Sequence, residues 1–243
     1  MKTLGLLTLG IAALFSTSVA AQSITIANGN DYTPFTDQKL KNGGMASELV
    51  EEAFKAVGWT VKYEWLPWKR GFEMAKASKL DAAIPWTRRK ERIPHFLFSD
   101  AIVSMNEEIW ARSDSTAKSY ADLKGKTACL PVGYSVQDNL KPMFESGEIK
   151  RDKPKNMTTC FKKLLAKRVD YIIVNSVQAA SIVKNSVKDP SSLKAVITEP
   201  DKTELHILVG KSHPKGAAII AAFNKGLAVL KSTGAYEKIV SSH

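Results

Sequence analysis

The feature that most restricts this chain's fold is the alternation of short apolar runs with longer amphipathic stretches. Residues 24–27, Ile-Thr-Ile-Ala, read as a short buried strand. Met45, Leu49, Val50, Ala53, Phe54 and Val57 then fall on one helical face, and Gly58 stops that helix. Val61, Tyr63 and Trp65 alternate with Lys62 and Glu64, the period of a strand with one wet face. A helix over about 68–77 and strands over 81–84 and 96–98 complete a β-α-β-α-β order, the pattern of an open α/β sheet.

A second unit begins after Arg112, with the polar stretch 113–118 as the boundary. Strands are expected over 127–131, 171–174, 195–198 and 205–209. Helices are expected over 135–144, 159–167, 176–183 and about 214–231, with a short one over 236–240 after Gly234. Each unit is long enough to bury its own core.

Residues 1–21 have the layout of a secretory signal: Lys2, an apolar stretch over 4–15, then small residues. The apolar stretch is shorter than the roughly 20 residues of a membrane span. Val19-Ala20-Ala21 and Ser18-Val19-Ala20 both fit a cleavage site, and no cysteine follows to carry a lipid anchor. Export bears on the charge. The formal charge is +11, and loss of Lys2 leaves +10. An exported protein seldom works on nucleic acid, so runs such as Lys150-Arg151 are read as solvated surface. Export also favours pairing of the two cysteines, Cys129 and Cys160. A bridge would close a loop of roughly 30 residues, worth about 3–4 kcal/mol in the chain-entropy view. Two buried thiols are the alternative. Thr158 or Thr159 is expected to cap the helix that holds Cys160.

In open α/β sheets ligands sit beyond the carboxyl ends of strands, and clefts between units favour pockets. The segments at those positions carry Tyr32 and Phe35, then Trp86, Thr87, Arg88, Arg89 and Arg92, then Tyr134 and Ser135, then Asn175 and Ser176. Trp68 opens a helix after Pro67. Aromatics, a guanidinium and two helix starts suit a small ligand with a flat or apolar body and an anionic group. Each has a plainer reading: Tyr32 and Phe35 as core, Trp68 as a helix anchor, Arg88, Arg89 and Lys90 as exposed charge. Likewise Arg92 could pair only with Glu91 or Asp100, and Ser135 and Asn175 could serve only as caps. No P-loop, GxGxxG, HExxH, CxxC or G-x-S-x-G motif occurs, so no catalytic residue, cofactor or metal site is expected. His213 and His243 are expected at the surface.

The chain resembles the bacterial periplasmic solute-binding proteins of the amino-acid-binding type, family three. The resemblance spans residues 23–240. It rests on Tyr32-Thr33-Pro34-Phe35, Leu80-Asp81-Ala82-Ala83-Ile84, Glu91-Arg92 with Phe98-Ser99-Asp100, Asp122-Leu123-Lys124-Gly125-Lys126, Arg168-Val169-Asp170 and Gly234-Ala235-Tyr236. It implies a two-lobed α/β fold of the type II periplasmic-binding class, two sheets joined by a two-strand hinge. Lobe 1 would hold residues 22–112 plus 205–243, and lobe 2 residues 113–204. The implied function is capture of a small carboxylate-bearing solute by a periplasmic monomer that delivers it to the permease of an ABC importer. By position, Arg92 would clamp the carboxylate, with Trp86, Thr87 and Ser135 beside it and Tyr32 and Trp68 as walls. Asn175 departs from the family's usual Asp, which leaves the ligand's amino group without its countercharge. Two other readings share the fold. A dehydratase acting on cyclic carboxylates needs a placed general acid, and Asn175-Ser176 supplies none. A sensory binder would hand its ligand-bound form to a membrane receptor.

Overall fold

The computed structural model describes residues 22–243, and the signal-peptide reading of residues 1–21 lies outside them. Strands β1 (Gln22–Asn28), β2 (Trp59–Trp65) and β3 (Ala82–Thr87) lie side by side in parallel. Helices α1 (Met45–Lys55) and α2 (Trp68–Lys76) connect them, as the alternating pattern requires. The short β4 (Phe96–Phe98) pairs with the last strand, β9 (Leu193–Gly210). Further on, β6 (Thr127–Cys129) pairs in parallel with β7 (Lys150–Asp152) and with β8 (Tyr171–Asn175). Helices α3 (Lys141–Glu145), α4 (Met157–Leu165) and α5 (Ser176–Ser186) belong to this half. The chain ends with α6 (Gly216–Ser232) and α7 (Ala235–Ser241).

Two long strands connect the halves. β5 (Val103–Arg112) pairs antiparallel with β9 from Val103–Leu205 to Arg112–Leu193, with register shifts near Asn106 and Ile109. Val103 and Met105 bury in one core with Ile24, Phe54, Leu205 and Phe223, while Ile109 and Ala111 bury in another with Ile149, Phe161, Ile172 and Leu193. Backbone pairing therefore runs as one path, β2-β1-β3-β9-β5-β8-β6-β7. In the first core α6 crosses α1 so closely that a Cβ at Gly226 would overlap the Ala53 carbonyl.

Several local expectations need correction. β9 is one strand where two were expected, because its polar middle, residues 199–204, remains extended. The apolar pattern gave no strand over 103–112, where Asn106, Glu107 and Glu108 interrupt it. The helix expected from Ser135 starts only at Lys141, with Pro142 in its first turn. Asn156, rather than Thr158 or Thr159, caps α4, accepting from the Thr159 amide at 3.0 Å. Arg151 is no solvated charge: it donates to the carbonyls of Leu130, Pro131 and Tyr134 at 3.2, 2.9 and 3.0 Å. His213 and His243 are tucked against Asp81 and Glu48 at 3.0 and 2.8 Å. Cys129 and Cys160 are disulfide-bonded and fully buried, tying β6 to α4.

Candidate functional site

Strand ends converge on one cavity of about 90 Å³. Tyr32 comes from the loop after β1, Trp68 from the start of α2, Trp86 and Thr87 from the end of β3, and Arg92 from the turn that follows. Tyr134 and Ser135 come from the segment after β6, and Asn175 from the end of β8. Of the side chains singled out in the sequence, Tyr32, Trp68, Trp86, Thr87, Arg92, Tyr134, Ser135 and Asn175 line this cavity, together with Leu130, Ile173 and Leu205, whereas Phe35 is buried in the first core and Arg88 and Ser176 stand outside the lining. Backbone geometry places Trp68: its indole lies against Gly29, where a Cβ would overlap the ring, and its Nε1 donates to the Asn30 carbonyl at 3.0 Å.

Arg92 is the charged centre. The residue is 8% exposed, and its guanidinium stands 4.9 Å from the Trp86 ring centroid. Nη1 donates to the Thr87 carbonyl and hydroxyl at 2.8 and 2.7 Å, and Nη2 donates to the Ser135 hydroxyl at 2.9 Å. None of these partners is charged, and among the described residues no ion pair reaches Arg92, from Glu91, Asp100 or any other acid. Burial, aided by repulsion from Arg89, lowers its pKa to about 10, so it remains a cation at neutral pH. A buried cation without a counter-ion is costly. An anionic ligand group would remove that cost.

The walls meet across the cleft. The Tyr32 ring packs edge-on against Tyr134, with centroids 5.3 Å apart, and against Trp68 at 6.1 Å. Asn175 caps α5 by accepting from the Gln178 amide at 2.8 Å, and its Nδ2 donates to the Tyr32 hydroxyl at 3.3 Å. Burial raises the pKa of both Tyr32 and Tyr134, so their hydroxyls stay protonated. Ser135 caps no helix here; its hydroxyl receives the Arg92 bond instead.

Two polar lining residues were missed, and a third, Arg89, was read as surface charge. Arg89, expected at the surface with Arg88 and Lys90, has a side chain only 13% exposed, with Nη1 3.7 Å from Asp138. Gln178 sits one turn into α5, and its position three residues after Asn175 could have flagged it. Glu107 lies mid-strand in β5, where a polar residue interrupting an apolar alternation was the available signal. Its carboxyl pKa is raised by burial, against the opposing effects of the Gln137 hydrogen bond, the Arg89 charge and Thr203; Glu199 adds to the rise.

A family model for bacterial extracellular solute-binding proteins, family 3, matches residues 24–243. The chain belongs to this family. This solute-binding protein is 25% identical over 233 residues to the putative amino-acid ABC transporter-binding protein PatH of Vibrio harveyi, covering 94% of this chain and 91% of PatH. It is 22% identical over 242 residues to the arginine-binding extracellular protein ArtP of Bacillus subtilis (strain 168), covering 96% and 92%. Its fold matches the crystal structure of a histidine kinase sensor domain similar to periplasmic binding proteins, with a TM-score of 0.76 at 23% identity, covering 91% of this chain and 96% of the other. The type II two-lobed architecture of the solute-binding protein places its cavity where both cores meet β5 and β9.

Proposed function

We propose that this solute-binding protein captures a small carboxylate-bearing solute, an amino acid or a related organic acid, between two lobes and delivers it to an ABC importer. The observation that carries the reading is Arg92: a buried guanidinium with no counter-ion among the described residues, aimed at neutral oxygens from both sides of the cleft. Residues 22–112 with 205–243 form one lobe and 113–204 the other, hinged on β5 and β9. Tyr32, Trp68, Trp86 and Tyr134 enclose the solute's body. Thr87 holds the guanidinium in place, and Ser135 brings the second lobe to the carboxylate. A solute touching both lobes favours the closed state by its differential affinity. Residues 1–21 act as the export signal, so the mature monomer works in the periplasm and docks transiently on a membrane permease. The names of ArtP and PatH support an amino-acid-like solute and a transporter partner.

Thermal unfolding against a panel of amino acids and organic acids tests the reading. A true ligand at ~100 times its dissociation constant adds about 2.7 kcal/mol. Arg92→Ala should lose that shift, since removing one side of a buried charged contact costs about 2–5 kcal/mol. No shift with any carboxylate, or an undiminished shift in the variant, contradicts it.

A further inference from the structure

Arg151 in β7 lies outside the solute cavity, half-buried behind its second-lobe wall. Ser135 lines both that cavity and a groove of about 390 Å³ on its far side, whereas Arg151 lines only the groove. Among the described residues, every hydrogen bond of the Arg151 guanidinium goes to one turn. Nε donates to the Leu130 carbonyl at 3.2 Å, and Nη2 donates to the Pro131 and Tyr134 carbonyls at 2.9 and 3.0 Å. Pro131 and Tyr134 are the two ends of that turn. The Tyr134 amide closes it on the Pro131 carbonyl at 3.2 Å, with Gly133 at a φ of 85°. Glu91, Asp138 and Glu145 share the groove, yet among the described residues no acid lies within ion-pairing distance of Arg151.

The turn is where regular backbone pairing stops. The Leu130 and Val132 amides donate to the Asp152 and Pro154 carbonyls at 3.0 and 2.9 Å, continuing the pairing of β6 with β7. Beyond Tyr134, the amides of residues 135–139 donate to no backbone carbonyl, and α3 starts only at Lys141. Tyr134 and Ser135 are nevertheless placed across the cleft. The Tyr134 hydroxyl accepts from Gln178 Nε2 at 3.1 Å, and the Ser135 hydroxyl accepts from Arg92 Nη2 at 2.9 Å. Their direction follows the exit of the turn, and Arg151 holds the carbonyl at that exit. A planar guanidinium can meet three carbonyls of one turn from a fixed position, which an ammonium on a flexible stem does less well. On the reading that Tyr134 and Ser135 wall the solute, we propose that Arg151 is a positioning residue for its capture. It orients both side chains from outside the cavity, in place of the helix start that this segment lacks.

Arg151→Met and Arg151→Lys keep most of the aliphatic stem and test this in the purified protein. Amide exchange without solute, followed by NMR, should be faster by about tenfold or more at Val132 and Tyr134 in Arg151→Met, with residues 172–174 of β8 unchanged. Calorimetry with L-glutamate, L-phenylalanine, L-arginine and glutarate supplies the second readout. Any of these that binds the wild type should bind Arg151→Met more weakly by about tenfold or more, and Arg151→Lys should recover part of the loss. In a background carrying both Tyr134→Phe and Ser135→Ala, the same Arg151→Met change should cost less than about threefold, because the hydroxyls it orients are gone. Unchanged exchange at the turn, equally faster exchange in β8, or an undiminished affinity in Arg151→Met overturns the positioning role and leaves the carboxylate reading standing. So does a full additional loss in the background without those hydroxyls. If none of the four binds the wild type, the carboxylate reading fails, and the exchange result alone decides the role of Arg151.

Discussion

Burial holds the Glu107 carboxyl above the ordinary glutamate range of about 4.3. The folded state thus holds this proton more tightly than the unfolded chain. The stability gained by that is complete below the unfolded pKa and is lost as pH rises through the folded one. At neutral pH the ionised side chain is then a cost. Ligand-free Glu107→Gln should therefore melt at a higher temperature than the wild type at pH 7, and the gap should close as pH falls below 4. Melting curves from pH 3.5 to 8 check this, and a variant less stable than the wild type at pH 7 would contradict it.

Among the elements, those with one buried face were legible and those shared between cores were not. Helix α1 shows its face in Leu49, Val50, Ala53 and Phe54, all fully buried, and β2 alternates over 59–63 as its sequence does. By contrast, β5 and β9 leave one core and enter another, so their apolar pattern stops at the crossing and the polar middle looks like loop. The aromatic and cationic lining could be read from positions after strand ends. Glu107 projects from the middle of a crossing strand, so its one signal was the break it makes in the apolar alternation. Ser135 resembled a helix cap, but the structure uses its hydroxyl across the cleft instead. The disulfide between β6 and α4 spans 31 residues of chain in the second core. Replacing both cysteines by serine should lower stability by about 3–4 kcal/mol. Urea unfolding measures this, and an unchanged midpoint would contradict it.

At the scale of the whole molecule, the two halves meet through the cavity groups themselves. Arg92 bonds Ser135, Tyr32 bonds Asn175, and Gln178 bonds the Thr33 carbonyl. Farther out, Lys155 stands 3.5 Å from Asp31. That outer pair is exposed and contributes little, so closure rests on what the cleft encloses. The central claim is that Arg92 holds the carboxylate of a small solute between the lobes. Native mass spectrometry of freshly purified wild type and Arg92→Ala tests it most directly. The account predicts a small carboxylate-bearing adduct on the wild type that is absent from the variant. The same adduct retained by Arg92→Ala, or an adduct without a carboxyl group, would contradict it.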